Sequence, residues 1–355
     1  MPAPPLPPHP DAPTWAATLN TAAPPPGDGW PARNSAPVTV LVSVKNEETD
    51  LPECLRRLTW AQRIVVIDSG STDATVPIAQ AFGAQVIHFD YARDSPTGWP
   101  KKRNWALDRL DFATDWVLLM DADECVVPEL ARQIAGIVTG EASQTAATSE
   151  IKNLKSEIPT RPGDGHAYWI NRRFIFHGRW VRHGGYYPAW NLRLFKHPLG
   201  RFERLTSAGD TDSGDMEVHE HIKLAPDAGD AGYLDHDLLH HEIADYSEWV
   251  AKHNRYSSWE AAVANHRIED GIPPKLLGTP QQRRRWIKRT AQNLPFRPTL
   301  RFWYHYGLRQ GFREGRLGLH LARLLAAYEA MTLAKTSEPD QTQAPSPVRD
   351  TSATP

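Results

Sequence analysis

Short apolar runs alternate along the first part of the chain with stretches in which apolar positions recur every three or four residues. Residues 38–44 (Val-Thr-Val-Leu-Val-Ser-Val) form a β-rich run that breaks into Lys45-Asn46-Glu47-Glu48, after which Leu51, Cys54, Leu55 and Leu58 follow at helical spacing. Residues 64–67 repeat the arrangement and end in Asp68-Ser69-Gly70-Ser71-Thr72-Asp73-Ala74-Thr75, before a helical pattern at Val76, Ile78, Ala79 and Phe82. A third strand starts at residues 83–87, a helix is predicted over 101–110, another strand over 116–120 and another helix over 127–137. Alternating β and α units of this length predict an α/β fold with a mostly parallel, Rossmann-like sheet and right-handed crossovers. Polar residues at the strand ends then gather along the carboxyl edge of the sheet, where open α/β folds bind ligands.

The run ending at Met120 stops at Asp121-Ala122-Asp123-Glu124. Two carboxylates one residue apart supply hard oxygen donors that suit Mg²⁺ or Mn²⁺, and such a cation completes its shell with water and substrate phosphates. An isolated Asp-x-Asp also suits a turn that caps the next helix, so its company decides. That company is Val42-Ser43-Val44-Lys45-Asn46-Glu47-Glu48, Val66-Ile67-Asp68-Ser69-Gly70-Ser71-Thr72-Asp73-Ala74-Thr75 and Lys101-Lys102-Arg103-Asn104-Trp105-Ala106, in that order upstream. Together, over roughly residues 37–130, these stretches resemble family 2 glycosyltransferases with the GT-A fold. Gly178-Arg179-Trp180, Arg193-Leu194-Phe195, Glu217-Val218-His219-Glu220-His221 and Lys252-His253-Asn254-Arg255-Tyr256-Ser257 are similar to a bacterial subgroup that includes lipopolysaccharide-core glucosyltransferases.

The resemblance implies an inverting, metal-dependent transfer from a nucleotide sugar. Asp123 would ligate Mg²⁺ or Mn²⁺ directly, and Asp121 would contact the donor ribose or reach the cation through water. Asp68 would accept from the uracil N–H, which agrees with a fixed carboxylate preferring a donating base edge. Asn46 and Glu47 would touch base or ribose, and Arg103, next to Lys102, would lie near the nucleotide unless both face solvent. Asp73 is expected to tie its own loop, and Glu124 either to orient the site or to cap the following helix. The implied donor is a UDP-hexose, glucose ahead of galactose and N-acetylhexosamines. The implied acceptor is a lipid-linked glycan or lipopolysaccharide core in envelope polysaccharide synthesis.

An inverting transfer needs a base beside the acceptor hydroxyl. Family 2 enzymes commonly carry it within a Glu-Asp pair that is absent here, which leaves the role between Glu220, flanked by two imidazoles, and Glu217. His219, His221, His240 and His241 raise two further options, a zinc site without a third ligand at recognisable spacing, or an imidazole ligand to the catalytic cation. Trp180, Tyr186, Tyr187 and Trp190 lie in a glycine-hinged aromatic loop that suits an acceptor cleft, because sugar C–H faces stack on rings; core packing is the alternative.

The 355 residues include 31 prolines, crowded into the first 37 residues and the tail. Residues 1–36 and 336–355 are therefore expected to be disordered, with a GT-A domain over 37–245, a surface insertion at 139–165 and a helical extension over 246–335. Two cysteines give no disulfide framework, and no secretory signal or spanning apolar stretch is seen, so a cytoplasmic protein is expected. The net charge of −2 hides a strongly basic stretch: from Arg283 to Arg323 the single acid is Glu314, and Trp286, Phe296, Phe302, Trp303, Tyr304, Tyr306 and Phe312 interleave with the arginines. That mixture predicts peripheral contact with an anionic membrane, centred on Arg283, Arg284, Arg285, Lys288 and Arg289, against the plainer alternative of a packed helical cap; no nucleic-acid module accompanies it. Two rival functions stay open: a catalytically silent glycan- or nucleotide-binding module, and a sugar nucleotidyltransferase, which would carry a Gly-rich basic loop not found around residues 44–48.

Overall fold

A computed structural model describes residues 29–95, 101–140, 165–203, 221–241, 246–265 and 296–337, with short pieces between 273 and 294. Residues 1–28 of the expected leader, most of the insertion, the tail beyond residue 337 and both Glu217 and Glu220 lie outside the described residues. The first half alternates strands and helices: β1 (Ala36–Val44), α1 (Leu51–Arg56), β2 (Ala61–Asp68), α2 (Thr75–Ala81), β3 (Gln85–His88), α3 (Lys102–Arg109) and β4 (Trp116–Asp121). These four strands are parallel, in spatial order β3-β2-β1-β4. β1 and β4 are covered on both faces, which is why they read as unbroken apolar runs rather than alternating ones.

Next come β5 (Glu124–Cys125), α4 (Pro128–Val138), β6 (Ala167–Phe176), β7 (Arg179–Trp180), β8 (Trp190–Lys196), β9 (Gly200–Phe202), β10 (Ile222–Leu224), β11 (Gly232–Tyr233) and β12 (Leu238–His241). Here the sheet becomes mixed. β8 runs antiparallel to both β4 and β6, while β12 is parallel to β6 and antiparallel to β5. This is the α/β architecture implied by the resemblance, with antiparallel strands added to its parallel half.

One core lies beneath α1, α2 and α4 and is built on Val38, Val40, Val42, Leu55, Leu58, Trp60, Leu118 and Ile134; the other lies on the opposite face, where Leu41, Ile67, Leu107, Leu119 and Phe195 meet α3. Alternate residues of β1 and β4 feed opposite cores, as strand geometry requires. Each fully buried leucine contributes about 1.5–3 kcal/mol by leaving water.

A third cluster joins the sheet to the C-terminal helices α5 (Tyr246–Asn265), α6 (Arg297–Trp303) and α7 (Arg316–Thr336). Phe174, Phe176 and Val181 pack there with Trp249 of α5 and Leu321 and Tyr328 of α7. Gly318 of α7 passes so close to Gly311 that an added Cβ would sit 1.9 Å from the Gly311 carbonyl oxygen. Glu314 is 6 % exposed and accepts from the backbone N–H groups of Arg182 and His183, both at 3.0 Å, and contacts His183 Nδ1 at 2.7 Å and Arg179 at 3.4 Å. The one acid of the basic stretch is therefore a latch on the aromatic loop. Gly184 and Gly185, both at positive φ, let that loop approach the extension: Gly184 donates its N–H to the Arg309 carbonyl, and His305 Nδ1 meets the Gly184 carbonyl at 2.7 Å.

The outer side of the extension is apolar. Phe296, Leu300, Trp303, Tyr304 and Leu308 recur at helical spacing through α6 and the π-turn Tyr304–Leu308, with Phe312 beyond, and all are exposed, Phe296 by 79 % and Leu308 by 75 %. The inner side holds Arg297 and Arg301 on Glu329 of α7. Of the five residues on which membrane contact was expected to centre, Arg284, Arg285, Lys288 and Arg289 lie outside the described residues. Among the described residues no helix is long and apolar enough to cross a membrane.

Burial opposes ionisation of Glu314, but its bonds to His183 and Arg182 prevail and hold the carboxyl below its ordinary value of 4.5. The latch is thus at full strength above that value and weakens as pH falls through the lowered native one. Glu314→Ala is expected to cost about 1–3 kcal/mol, the penalty for stranding buried donors. Thermal unfolding of both forms from neutral pH to about pH 3 checks this: the gap must shrink on acidification, and a constant gap would refute the latch.

Candidate active site

β1, β2 and β4 deliver three polar loops to one sheet edge. After β1, Asn46 turns the chain at φ 57°, a left-handed conformation that Asn tolerates better than most residues. Its N–H reaches Ser71 Oγ at 2.9 Å, and its Oδ1 accepts from the Thr72 N–H at 2.8 Å. Asp73 accepts from the Thr75 N–H in its own loop, as expected, and also from the Glu48 N–H, so it ties the two loops together. Asp68, 2 % exposed, accepts from the Gly70 and Ser71 N–H groups and meets His88 Nδ1 at 3.1 Å. Burial opposes its ionisation, yet these bonds keep the carboxyl below its ordinary value.

At the end of β4 the two aspartates have different company. Asp121 Oδ1 takes the Arg103 guanidinium and Oδ2 takes Arg193 Nη2 at 2.6 Å. Burial opposes its charge, but Arg193, Arg103 and Arg172 hold the carboxyl well below the usual range. Asp123 offers Oδ2 to His240 Nε2 at 3.2 Å, and its buried Oδ1 has no hydrogen-bond partner. It too is held below its ordinary value, against burial, by His240 and by the Lys252 charge from α5. Glu124 is fully buried; Oε2 accepts the Asp121 N–H at 2.9 Å, and Oε1 takes Arg193 at 2.7 Å and Arg172 at 3.2 Å.

Two of the alternatives fall away. Glu124 does not cap the helix at 128, because it is paired into β5 opposite His240 of β12 and spends its oxygens on arginines. Arg103 and Lys102 do not form a solvated face: both are buried, Arg103 between Ser43 Oγ and Asp121, and Lys102 with Nζ 3.3 Å from Ser69 Oγ. Sequence reasoning also missed Arg172 and Arg193 as parts of the site. Both interrupt an apolar strand pattern with a basic residue, and Arg193, which needs a buried partner, also stands in the Arg193-Leu194-Phe195 stretch of the subgroup resemblance.

The aromatic loop lies beside this edge. Phe174, 6.1 Å from the His240 ring, stacks on Tyr186 at 4.5 Å. Tyr187 is buried, with its hydroxyl donated to Asp237 at 3.0 Å, so it takes the packing alternative. Trp190 meets Tyr233 edge-on at 5.0 Å, while Trp180 meets Tyr187 at 5.1 Å; both stay partly exposed. Among the described residues no group of three or more His, Cys, Asp or Glu side chains is arranged to hold a metal ion. The buried, unpartnered Asp123 Oδ1 nevertheless fits a hard cation that draws its other ligands from water and phosphate, with His240 as neighbour.

Residues 39–196 match the model of glycosyl transferase family 2, so the chain carries a family 2 glycosyltransferase domain. More particularly, it is 27 % identical to the lipopolysaccharide core biosynthesis glycosyltransferase LpsC of Rhizobium meliloti over 69 % of this chain and 77 % of that protein. An uncharacterized glycosyltransferase of Rickettsia prowazekii is 30 % identical over 33 % of this chain and 38 % of its own. Among solved structures, TarS of S. aureus (residues 1–349) is 14 % identical, covering 84 % of this chain and 88 % of that one at a TM-score of 0.37. Glucosyl-3-phosphoglycerate synthase of Mycobacterium tuberculosis, in complex with Mn²⁺, uridine diphosphate and glucosyl-3-phosphoglycerate, is 15 % identical, covering 67 % of this chain and 83 % of that one at a TM-score of 0.32.

Glu47 faces this acidic corner, and its carboxyl is pushed up to about 8 by burial and then by the charges of Asp123 and Asp50, with Lys252 and Lys102 pulling the other way. A raised native value means that its contribution is complete below the ordinary 4.5 and is lost as pH rises through about 8. The thermal midpoint of the metal-free protein should therefore fall between those values, and Glu47→Gln should flatten that part of the profile. Parallel curves for the two proteins would show that Glu47 is ionised throughout.

Proposed function

We propose that the chain is an inverting, metal-dependent glycosyltransferase that moves a hexose, glucose ahead of others, from a UDP-sugar to a lipid-linked glycan or lipopolysaccharide-core acceptor in envelope polysaccharide synthesis. The family match and the similarity to LpsC support the reaction class and its setting. The observation that carries the site is the division of labour at the end of β4: two arginines neutralise Asp121, while Asp123 keeps a buried oxygen with no partner.

On this reading Asp123 holds Mg²⁺ or Mn²⁺, which when bound supplies positive charge to the departing diphosphate. Asp121, fixed by Arg103 and Arg193, positions the donor ribose. Asp68 accepts from the uracil N–H, and Asn46 and Glu47 line the base and ribose. The acceptor hydroxyl attacks the anomeric carbon as its bond to the diphosphate oxygen breaks, and the hydroxyl proton passes to Glu220 or Glu217. Trp190, which remains partly exposed, stacks the acceptor sugar, with Trp180 beside it.

Purified protein incubated with a panel of nucleotide sugars should release nucleoside diphosphate and not pyrophosphate; pyrophosphate would establish the nucleotidyltransferase alternative, and neither product the silent binding module. Asp123→Ala should lose at least about 10²-fold in turnover while folding normally. Near-normal turnover in excess metal would sink the assignment. Glu220→Gln should lose more turnover than Glu217→Gln, and the reverse order would move the base to Glu217.

The exposed stripe from Phe296 to Phe312 supports peripheral contact with the anionic inner face of the cytoplasmic membrane. Apolar rings enter the interface while Arg309, Arg313 and Arg316 at its end meet headgroups, each worth about 1 kcal/mol. Replacing Phe296, Trp303 and Leu308 together by Ser should abolish co-sedimentation with phosphatidylglycerol vesicles at low salt. Unchanged sedimentation would leave the extension as a packed cap.

A further inference from the structure

We infer that the acceptor bears an oxyanion, a carboxylate or a phosphate, which binds at Trp180 between Arg182 and Arg173. The inference rests on the glycosyltransferase reading and adds the chemical class of its second substrate. Strand register supplies the location. β8 lies beside β4, and Trp190 at its start pairs with Asn171 of β6; the pairing of Leu118 with Leu194 puts that level at the carboxyl end of β4. β6 then runs beyond this edge through Arg172, which reaches Glu124, and Arg173, while β7 brings Trp180 opposite Ile175.

Three donor groups meet there. The Arg182 guanidinium carbon is 4.2 Å from the centre of the Trp180 ring and that of Arg173 is 4.6 Å from the same centre. Two like charges over one ring lie within a Debye length of each other. Asp237 compensates Arg173, whose Nε it accepts at 2.9 Å. Arg182 is exposed, and among the described residues its guanidinium has no carboxylate; Glu314 takes its backbone N–H instead. The Trp180 Nε1–H is buried and has no acceptor.

An unsatisfied indole N–H and an uncompensated guanidinium beside an aromatic ring match a sugar that carries a negative group. The donors take the oxygens of that group in charge-assisted bonds beside the ring. A neutral sugar would leave the second guanidinium charge uncompensated.

Three soluble probes distinguish the possibilities: methyl glucuronide for a carboxylate, glucose 6-phosphate for a phosphate, and methyl glucoside for neither. Saturation-transfer NMR on the full chain should show binding of one or both acidic probes and no comparable binding of methyl glucoside. The stronger acidic probe identifies the anion. Arg182→Gln should weaken it about tenfold or more, the loss expected for one charged hydrogen bond. Trp180→Phe, which keeps a ring and removes the N–H, should weaken it less. Equal binding of all three probes, binding unaltered by Arg182→Gln, or no binding of either acid would overturn the inference. Uridine diphosphate binding with Mn²⁺, measured on the same wild-type sample, separates the two levels: its retention confines the failure to the oxyanion subsite, and its loss removes the reading beneath it.

Discussion

The buried contact between Glu124 and two arginines is the constraint on which the rest of the site depends. Glu124 is fully enclosed, and its oxygens hold the Asp121 N–H from β4, Arg172 from β6 and Arg193 from β8; Asp121 in turn holds Arg103 from α3. Desolvating so many charges gains little net stability, and removing one partner typically costs about 3–5 kcal/mol because it strands the others. What the web supplies is position. It fixes the end of β4 and keeps Asp121 ionised against burial.

The parallel half of the fold was legible because its strands are buried on both faces and its crossovers are short, so element boundaries fell within a few residues of the expected ones. The carboxylate loops were legible for the same reason: polar residues at the end of a buried strand have one edge to go to. The arginine web was not legible, since pairing Glu124 with Arg172 and Arg193 requires knowing that β8 inserts between β4 and β6, an antiparallel insertion that no local pattern announces. The helix-cap alternative for Glu124 failed on this point. The aromatic loop was legible as a loop, but exposure alone separated Trp180 and Trp190 from the buried Tyr187.

The C-terminal helices also enter the chemistry from a distance. Lys252 of α5 helps hold the Asp123 carboxyl down and tempers the upward push that burial gives Asp50 and Glu47, while Glu248 of the same helix adds to that push on Asp50. The charge of the acidic corner is therefore set partly by an element outside the sheet, held in place by the cluster of Phe174, Phe176, Trp249 and Tyr328.

Glu314 gives the molecule a modular seam in an unexpected place. Because this carboxylate satisfies the backbone of residues 182 and 183, the aromatic loop and the segment from His305 to Gly318 complement each other as lock and key. A chimera that exchanged the C-terminal helices alone would present a foreign key. The two pieces therefore form one unit that is discontinuous in sequence although continuous in space.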